Sequence, residues 1–191
     1  CHRCGTSLIQ GIEGAGDPYI GRQIGRDMVL ERHIGSGEMG MVYEGVNKET
    51  GQRLAIKLIH SDVAASYGEE LLRWAKRTAQ IRPPKVATVL AARREADGLT
   101  YIVSEYLEGQ TLMQRLRETG PFEPQRAADI LFQICSALAP VHRVGRPHAN
   151  LKPENVFILS GPGGGDFVKV VDVGSPTLFG VRVEGGRKVI I

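Results

Sequence analysis

Apolar and polar positions alternate at Met28-Val29-Leu30-Glu31-Arg32-His33-Ile34 and again at Met41-Val42-Tyr43-Glu44-Gly45-Val46. Between the two runs lies Gly35-Ser36-Gly37-Glu38-Met39-Gly40, so the period of two predicts a strand, a glycine loop and a second strand. Lys48-Glu49-Thr50-Gly51 reads as a turn and Leu54-Ala55-Ile56-Lys57-Leu58-Ile59 as a third strand. The spacing then becomes helical. Leu71, Leu72, Ala75 and Ala79 make an apolar stripe over residues 66–81, and Pro83-Pro84 stops that helix because the residue before a proline avoids helical dihedrals. Strands follow around Val86–Ala92 and Leu99–Ser104, joined by a turn at Asp97-Gly98.

From Thr111 the apolar positions are again helical: Leu112, Met113 and Leu116, then Ala127, Ile130, Leu131, Ile134, Leu138 and Val141. Pro140 interrupts the second stripe and is expected to end or kink it, at about 3 kcal/mol if the helix continues. Short apolar runs return at Val156–Leu159 and Phe167–Val171, separated by Gly161-Pro162-Gly163-Gly164-Gly165. Val181–Ile191 alternates around Gly185-Gly186 and predicts a hairpin. The fold class is α+β: a five-stranded antiparallel sheet with one main helix, then a mainly helical part.

Composition narrows this picture only slightly. The 191 residues are 42% apolar and 24% charged, which fits a folded domain with an appendage and excludes wholesale disorder. The net charge of +3 comes from 24 basic and 21 acidic residues interspersed along the chain, too mild and scattered for a nucleic-acid partner. No uninterrupted apolar run is long enough to span a membrane. Three cysteines make no disulfide framework, and a reducing, cytoplasmic setting is expected. Cys135, inside an apolar helical run, reads as a buried small hydrophobe.

Cys1 and Cys4 form a Cys-x-x-Cys knuckle followed by Gly5, so residues 1–10 read as part of a zinc ribbon. Tetrahedral zinc needs four ligands and the knuckle supplies two, so zinc requires ligands from outside this chain; otherwise the pair is an oxidisable dithiol. Residues 11–25 are glycine-rich and read as a flexible linker, with the folded domain over 26–191.

The glycine loop alone could be any tight turn or a dinucleotide loop. A dinucleotide loop opens a helix, however, and here a strand follows. Such a hairpin can cover a triphosphate, with Lys57 on the next strand, 17 residues beyond Gly40, neutralising phosphate charge.

These pieces resemble the protein kinase family, in particular its bacterial Ser/Thr branch. The resemblance rests on Gly35-x-Gly37-x-x-Gly40-x-Val42, Ala55-Ile56-Lys57 and Glu105-Tyr106-Leu107-Glu108-Gly109. It continues in His148-Ala149-Asn150-Leu151-Lys152-Pro153-Glu154-Asn155 and Asp172-Val173-Gly174. It implies a small lobe built on the sheet and an incomplete helical lobe. It also implies ATP as ligand: Gly35, Gly37 and Gly40 over the phosphates, Lys57 on them, Val42 and Ala55 on the adenine face, and the backbone of Glu105 and Leu107 at its edge. Asn155 and Asp172 would hold Mg²⁺, and Asn150 and Lys152 occupy the catalytic loop.

Three departures shape the expected activity. Asn150 stands where the family has the aspartate that accepts the substrate proton, and an amide has no basic lone pair for it. Trp74 stands where a glutamate pairs with the lysine; Glu70, one turn earlier, is the candidate substitute and Trp74 an apolar wedge. Ala149 and Val173 replace an arginine and an aromatic residue. The resemblance therefore implies an ATP- and Mg²⁺-binding pseudokinase with weak or no transfer. A slow but active Ser/Thr kinase and a nucleotide-free interaction scaffold are the alternatives, and the protein substrate or partner is unnamed. The match stops near Gly174, so the chain is expected to be a fragment of a longer protein.

Overall fold

The two glycine-flanked runs form one long hairpin. Strand β2, Met28–Gly37, pairs antiparallel with β3, Gly40–Asn47, down to Gly37 opposite Gly40, so Glu38 and Met39 make the tip. The computed structural model describes residues 16–175 apart from Ile81, together with the backbone of 182–184 and 187–189. Cys1, Cys4 and the first part of the expected linker lie outside the described residues.

The sheet has six strands where five were expected. A two-residue strand, β1 at Gln23–Ile24, pairs with the start of β2, and β4 at Arg53–Ile59 pairs with β3. Beyond helix α1, Ser61–Thr78, come β5 at Val89–Arg94 and β6 at Thr100–Glu105, giving the order β1-β2-β3-β4-β6-β5. Residues 17–25 are therefore not a free linker. Ile24 is buried in the sheet core, Tyr19 packs against it, and the Tyr43 hydroxyl donates to Asp17 Oδ2 at 2.9 Å. Glycine content signalled flexibility, but two apolar anchors decide otherwise.

Period-two burial explains how the sheet presents its functional face. On β4, Leu54, Ile56 and Leu58 join Leu30, Tyr43, Tyr101 and Val103 in one core, so Ala55 and Lys57 must point the other way. That opposite face is closed by α1, whose Val63, Leu71, Trp74 and Ala75 pack on Ile59, Val89 and Ile102. Helix α1 begins five residues before the expected start. Asp62 in its first turn and Lys76 and Arg77 in its last turn complement the helix dipole.

The rest of the chain begins with a short strand, β7 at Gly109–Thr111, that runs into α2, Leu112–Thr119, through a capping box between Thr111 and Gln114. Helix α3 spans Pro124–Arg143 and continues through Pro140. The expected break does not occur. Only three helical residues follow the proline, and Leu138 and Val141, buried on either side of it, hold the last turn against the core. Cys135 is exposed, not buried, because α3 turns Ile130, Ile134, Ala137 and Val141 inward and leaves Cys135 beside Leu131 and Phe132, 60% and 73% exposed.

Helix α3 packs on a three-stranded sheet of β7, β8 at Val156–Ser160 and β9 at Asp166–Val170. The two halves are stitched where Ala87 N–H donates to the Val170 carbonyl and Val170 N–H to that of Lys85, both at 2.9 Å. The terminal hairpin forms as expected, β10 at Arg182–Glu184 against β11 at Arg187–Val189.

Candidate active site

The six-stranded sheet and the segment following β9 meet at two of the predicted residues, Lys57 and Asp172. Lys57 sits in β4 opposite Val42 on one side and Ile102 on the other. Its Nζ lies 2.5 Å from Asp172 Oδ2, a residue 115 positions away. The two side chains are 19% and 25% exposed, so the pair is reachable from solvent yet partly shielded from it. Glu70, the candidate partner of Lys57, is exposed on α1 and makes no ion pair with it among the described residues. The lysine's carboxylate comes from the other half of the molecule instead.

Asp172 adopts a left-handed backbone, φ 56°, uncommon for a residue with a Cβ though aspartate is among those that tolerate it. Hydrogen bonds tie down its neighbours. Val171 N–H donates to the Asn155 carbonyl at 2.9 Å, Gly174 N–H to that of His148 at 2.9 Å, and Ser175 N–H to that of Asp172 at 3.1 Å. The first of these bonds sets Asn155 beside Asp172. Asn155 is buried, its Nδ2 donates to the Asn150 carbonyl at 2.9 Å, and its Oδ1 accepts from no group among the described residues. Adjacent segments thus carry one carboxylate and one amide oxygen, the oxygen donors a hard dication prefers.

Residues 148–155 are tied together by local hydrogen bonds. Asn150 N–H donates to His148 Nδ1 at 3.3 Å and its carbonyl holds Asn155, leaving its side-chain amide displayed. His148 is buried, and that burial lowers its imidazole pKa, favouring the neutral ring that accepts from Asn150. Ala149, like Asp172, is left-handed at φ 69°. Lys152 is half-buried and its carbonyl accepts from Asn155 N–H at 2.9 Å.

The roof is the β2–β3 hairpin. A Cβ at Gly35 or Gly37 would meet nothing within 4 Å, so these positions are open. Gly40 is different. A Cβ there would lie 1.9 Å from the Leu58 carbonyl oxygen, so this glycine is required by the close β3–β4 contact whatever lies beneath it. The tip is held down by His60 N–H donating to the Met39 carbonyl at 3.0 Å. Val42 and Ala55 are half-buried.

At the strap joining the halves, Glu105 N–H already donates to the Thr88 carbonyl at 3.0 Å, whereas Leu107 N–H donates to no backbone acceptor among the described residues. The Glu105 carboxylate accepts from Thr88 N–H at 2.7 Å and from Lys169 Nζ at 2.6 Å, fixing the strap to β9. The sequence carried no signal for that bridge. It also missed the polar role of Trp74, whose Nε1–H donates to the Val173 carbonyl at 3.0 Å in a buried contact. No cluster of three or more metal-ligating side chains occurs among the described residues, and no described helix is long and apolar enough to cross a membrane.

An antiparallel sheet with one crossing helix, joined by a strap to a helical half and meeting it at Lys57 and Asp172, defines a two-lobed, protein-kinase-like fold. Residues 28–184 match the protein kinase domain model, and the chain belongs to the protein kinase family. It is 38% identical over 152 residues to the serine/threonine-protein kinase pkn2 of Myxococcus xanthus, covering 78% of this chain and 18% of that protein. It is 34% identical over 143 residues to PrkC of Bacillus subtilis, covering 73% and 22%. The chain therefore spans about a fifth of the length of these relatives. Among solved structures it resembles the PknI kinase domain of Mycobacterium tuberculosis, with TM-score 0.67 and 21% identity over 83% of this chain and 64% of that one. It also resembles Rad53 in complex with AMP-PNP, with TM-score 0.66 and 23% identity over 78% and 38%. Both likenesses bear on the fold.

Proposed function

We propose that this chain is a Ser/Thr-kinase-like domain that binds ATP with Mg²⁺ and transfers the phosphoryl group weakly or not at all. The observation that carries the reading is the approach of Lys57 Nζ to Asp172 Oδ2 beneath the β2–β3 hairpin. A partly shielded ammonium–carboxylate pair, with the Asn155 amide on the segment bonded next to Asp172, supports a site for a triphosphate and its cation. Lys57 would hold phosphate oxygens, Asn155 and Asp172 the cation, and Val42 and Ala55 the adenine face. The Leu107 N–H and the Glu105 carbonyl would meet the adenine edge. The bound cation would neutralise charge on the phosphates.

Weak transfer follows from Asn150. Its anchored backbone presents an amide that can orient a hydroxyl but cannot take its proton. Losing a positioned general base costs ~10²–10⁴-fold, and positioning and charge neutralisation survive that loss. The intact Lys57–Asp172 pairing therefore also supports a slow kinase as the second reading.

Thermal unfolding with ATP, with and without Mg²⁺, tests the binding half of the proposal. Metal-dependent stabilisation in the wild-type chain that disappears in Lys57→Ala is the expected result. Equal melting in all conditions would leave an interaction scaffold as the surviving account. Zinc at Cys1 and Cys4 remains a proposal that depends on two further ligands from outside this chain.

A further inference from the structure

Trp74 has no part in that reading, yet it makes a buried polar bond to the segment that carries Asp172. Its ring is 5% exposed and packs in the α1 core with Leu71, Ala75 and Ile102. Its indole N–H reaches out of that core to the Val173 carbonyl at 3.0 Å. The Val173 side chain is meanwhile buried in the separate core of α3, β8 and β9. The Val173–Gly174 peptide is thus anchored from both lobes at once, its carbonyl by Trp74 and its N–H by the His148 carbonyl. The bonds from Val171 and Gly174 go to Asn155 and His148, on the large-lobe side. Trp74 supplies the described bond to this backbone from α1.

A cavity of about 270 Å³ adjoins this junction, lined by Trp74, Val173, Gly174, Ala149 and Arg146 among others. The Trp74 bond to the Val173 carbonyl and the Gly174 N–H bond to the His148 carbonyl together orient the Val173–Gly174 peptide, which follows Asp172 and its left-handed φ of 56°.

We propose that Trp74 is a positioning residue: its indole N–H holds the carbonyl of the Val173–Gly174 peptide, one residue beyond Asp172, so that the Asp172 carboxylate faces Lys57, coupling the placement of α1 to the metal-facing group. Where the family's glutamate clamps the lysine by charge, this chain clamps the lysine's partner through its backbone. What Asp172 does for a nucleotide rests on the functional proposal above; the coupling itself does not.

The chain has one tryptophan, so its indole N–H gives a single resonance in an ¹⁵N-labelled sample. In full-length Trp74→Phe, amide exchange at Gly174 and Ser175 is expected to quicken about five- to tenfold, the size of one neutral hydrogen bond, with Ile56 and Val103 unchanged. Unchanged exchange at Gly174 and Ser175 overturns the proposal. Should Trp74→Phe fail to fold, Asp172→Ala reads the same coupling from its other end. The wild-type indole signal is expected to shift and exchange faster in that variant, and an unmoved signal overturns the proposal.

ATP titrations with and without Mg²⁺ provide a readout that a merely structural role would not move. Trp74→Phe is expected to lose most of the metal-dependent tightening and keep its metal-free affinity. An equal metal-dependent gain in both proteins overturns the positioning role. If wild type binds no ATP, the functional reading falls, and the exchange measurements alone decide the case for Trp74.

Discussion

Replacing Asn150 by aspartate is the sharpest perturbation of the proposed site. The residue is held at two backbone points, its N–H on His148 Nδ1 at 3.3 Å and its carbonyl under Asn155 Nδ2 at 2.9 Å, and neither involves its side chain. Asn150→Asp therefore leaves the anchor intact and exchanges one terminal NH₂ for an oxygen of nearly the same size. A carboxylate in that place can accept a hydroxyl proton, a contribution worth ~10²–10⁴-fold. At 1.36 kcal/mol per tenfold this is about 2.7–5.4 kcal/mol off the barrier. Because the side chain is only half-buried, the new charge stays hydrated and folding stability should change by under about 1 kcal/mol. The assay is transfer from radiolabelled ATP to a generic protein acceptor with Mg²⁺, with Lys57→Ala as background. Transfer in Asn150→Asp no faster than in wild type refutes the reasoning, as does a gain that persists when Lys57→Ala is added.

Other consequences of the structure can be checked without activity. Gly40→Ala drives a Cβ to 1.9 Å from the Leu58 carbonyl oxygen and should cost about 2 kcal/mol or more in urea unfolding, whereas Gly37→Ala, with open space around it, should cost under about 1 kcal/mol. Burial raises the Glu44 carboxyl pKa, but hydrogen bonds from Arg53 and Arg32 outweigh this and leave it below its ordinary value. Its folded pKa is thus lower than its unfolded one, so its contribution is complete above about pH 4.5 and is lost as pH falls through the folded value. Melting temperature should fall more steeply below about pH 4.5 in wild type than in Glu44→Gln. With Cys1 and Cys4 replaced by serine, native Cys135 should react with a thiol reagent at the rate of an unfolded control, since it lies on the exposed side of α3.

What the sequence revealed and what it hid divide along physical lines. Strand periodicity placed Lys57 correctly because Leu54, Ile56 and Leu58 mark the opposite face without ambiguity. The meeting of Lys57 and Asp172 was legible only through motif resemblance; spacing by itself carries no information about a contact 115 residues apart. Burial along α3 misled at Leu131 and Cys135, since a stripe broad enough to include both cannot face one sheet, and the tertiary contact chose Ile130, Ile134 and Val141. Pro140 was overweighted because the helical penalty applies to an interior residue and here the helix is nearly finished. The hydrogen bond of Trp74 was invisible for another reason. Its acceptor is a backbone carbonyl, which has no residue-type signature.

The missing glutamate has one more consequence, and it concerns how nucleotide and metal bind together. With Glu70 exposed and Trp74 uncharged, the carboxylate paired with Lys57 is that of Asp172, the same group proposed to hold the cation. A cation arriving alone must compete with an ammonium at 2.5 Å for that carboxylate, and would leave the lysine, 19% exposed, without its counter-charge. ATP arriving alone draws Lys57 toward phosphate and leaves Asp172 unpaired beside four negative charges. Together each ligand supplies the partner that the other removes, so binding must be mutual. Coupling between two ligands is commonly 1–3 kcal/mol, about 5- to 150-fold in affinity, and the charge exchange here places the expectation at the upper end. Calorimetric titration of Mg²⁺ into the ligand-free chain should show at most millimolar binding, against at least tenfold tighter binding in saturating ATP after correction for the ATP–Mg²⁺ equilibrium. Lys57→Met, which frees the carboxylate, should raise ligand-free Mg²⁺ affinity and abolish most of the coupling. Mg²⁺ that binds the wild-type chain equally well with and without ATP would show that Lys57 and the cation do not share Asp172.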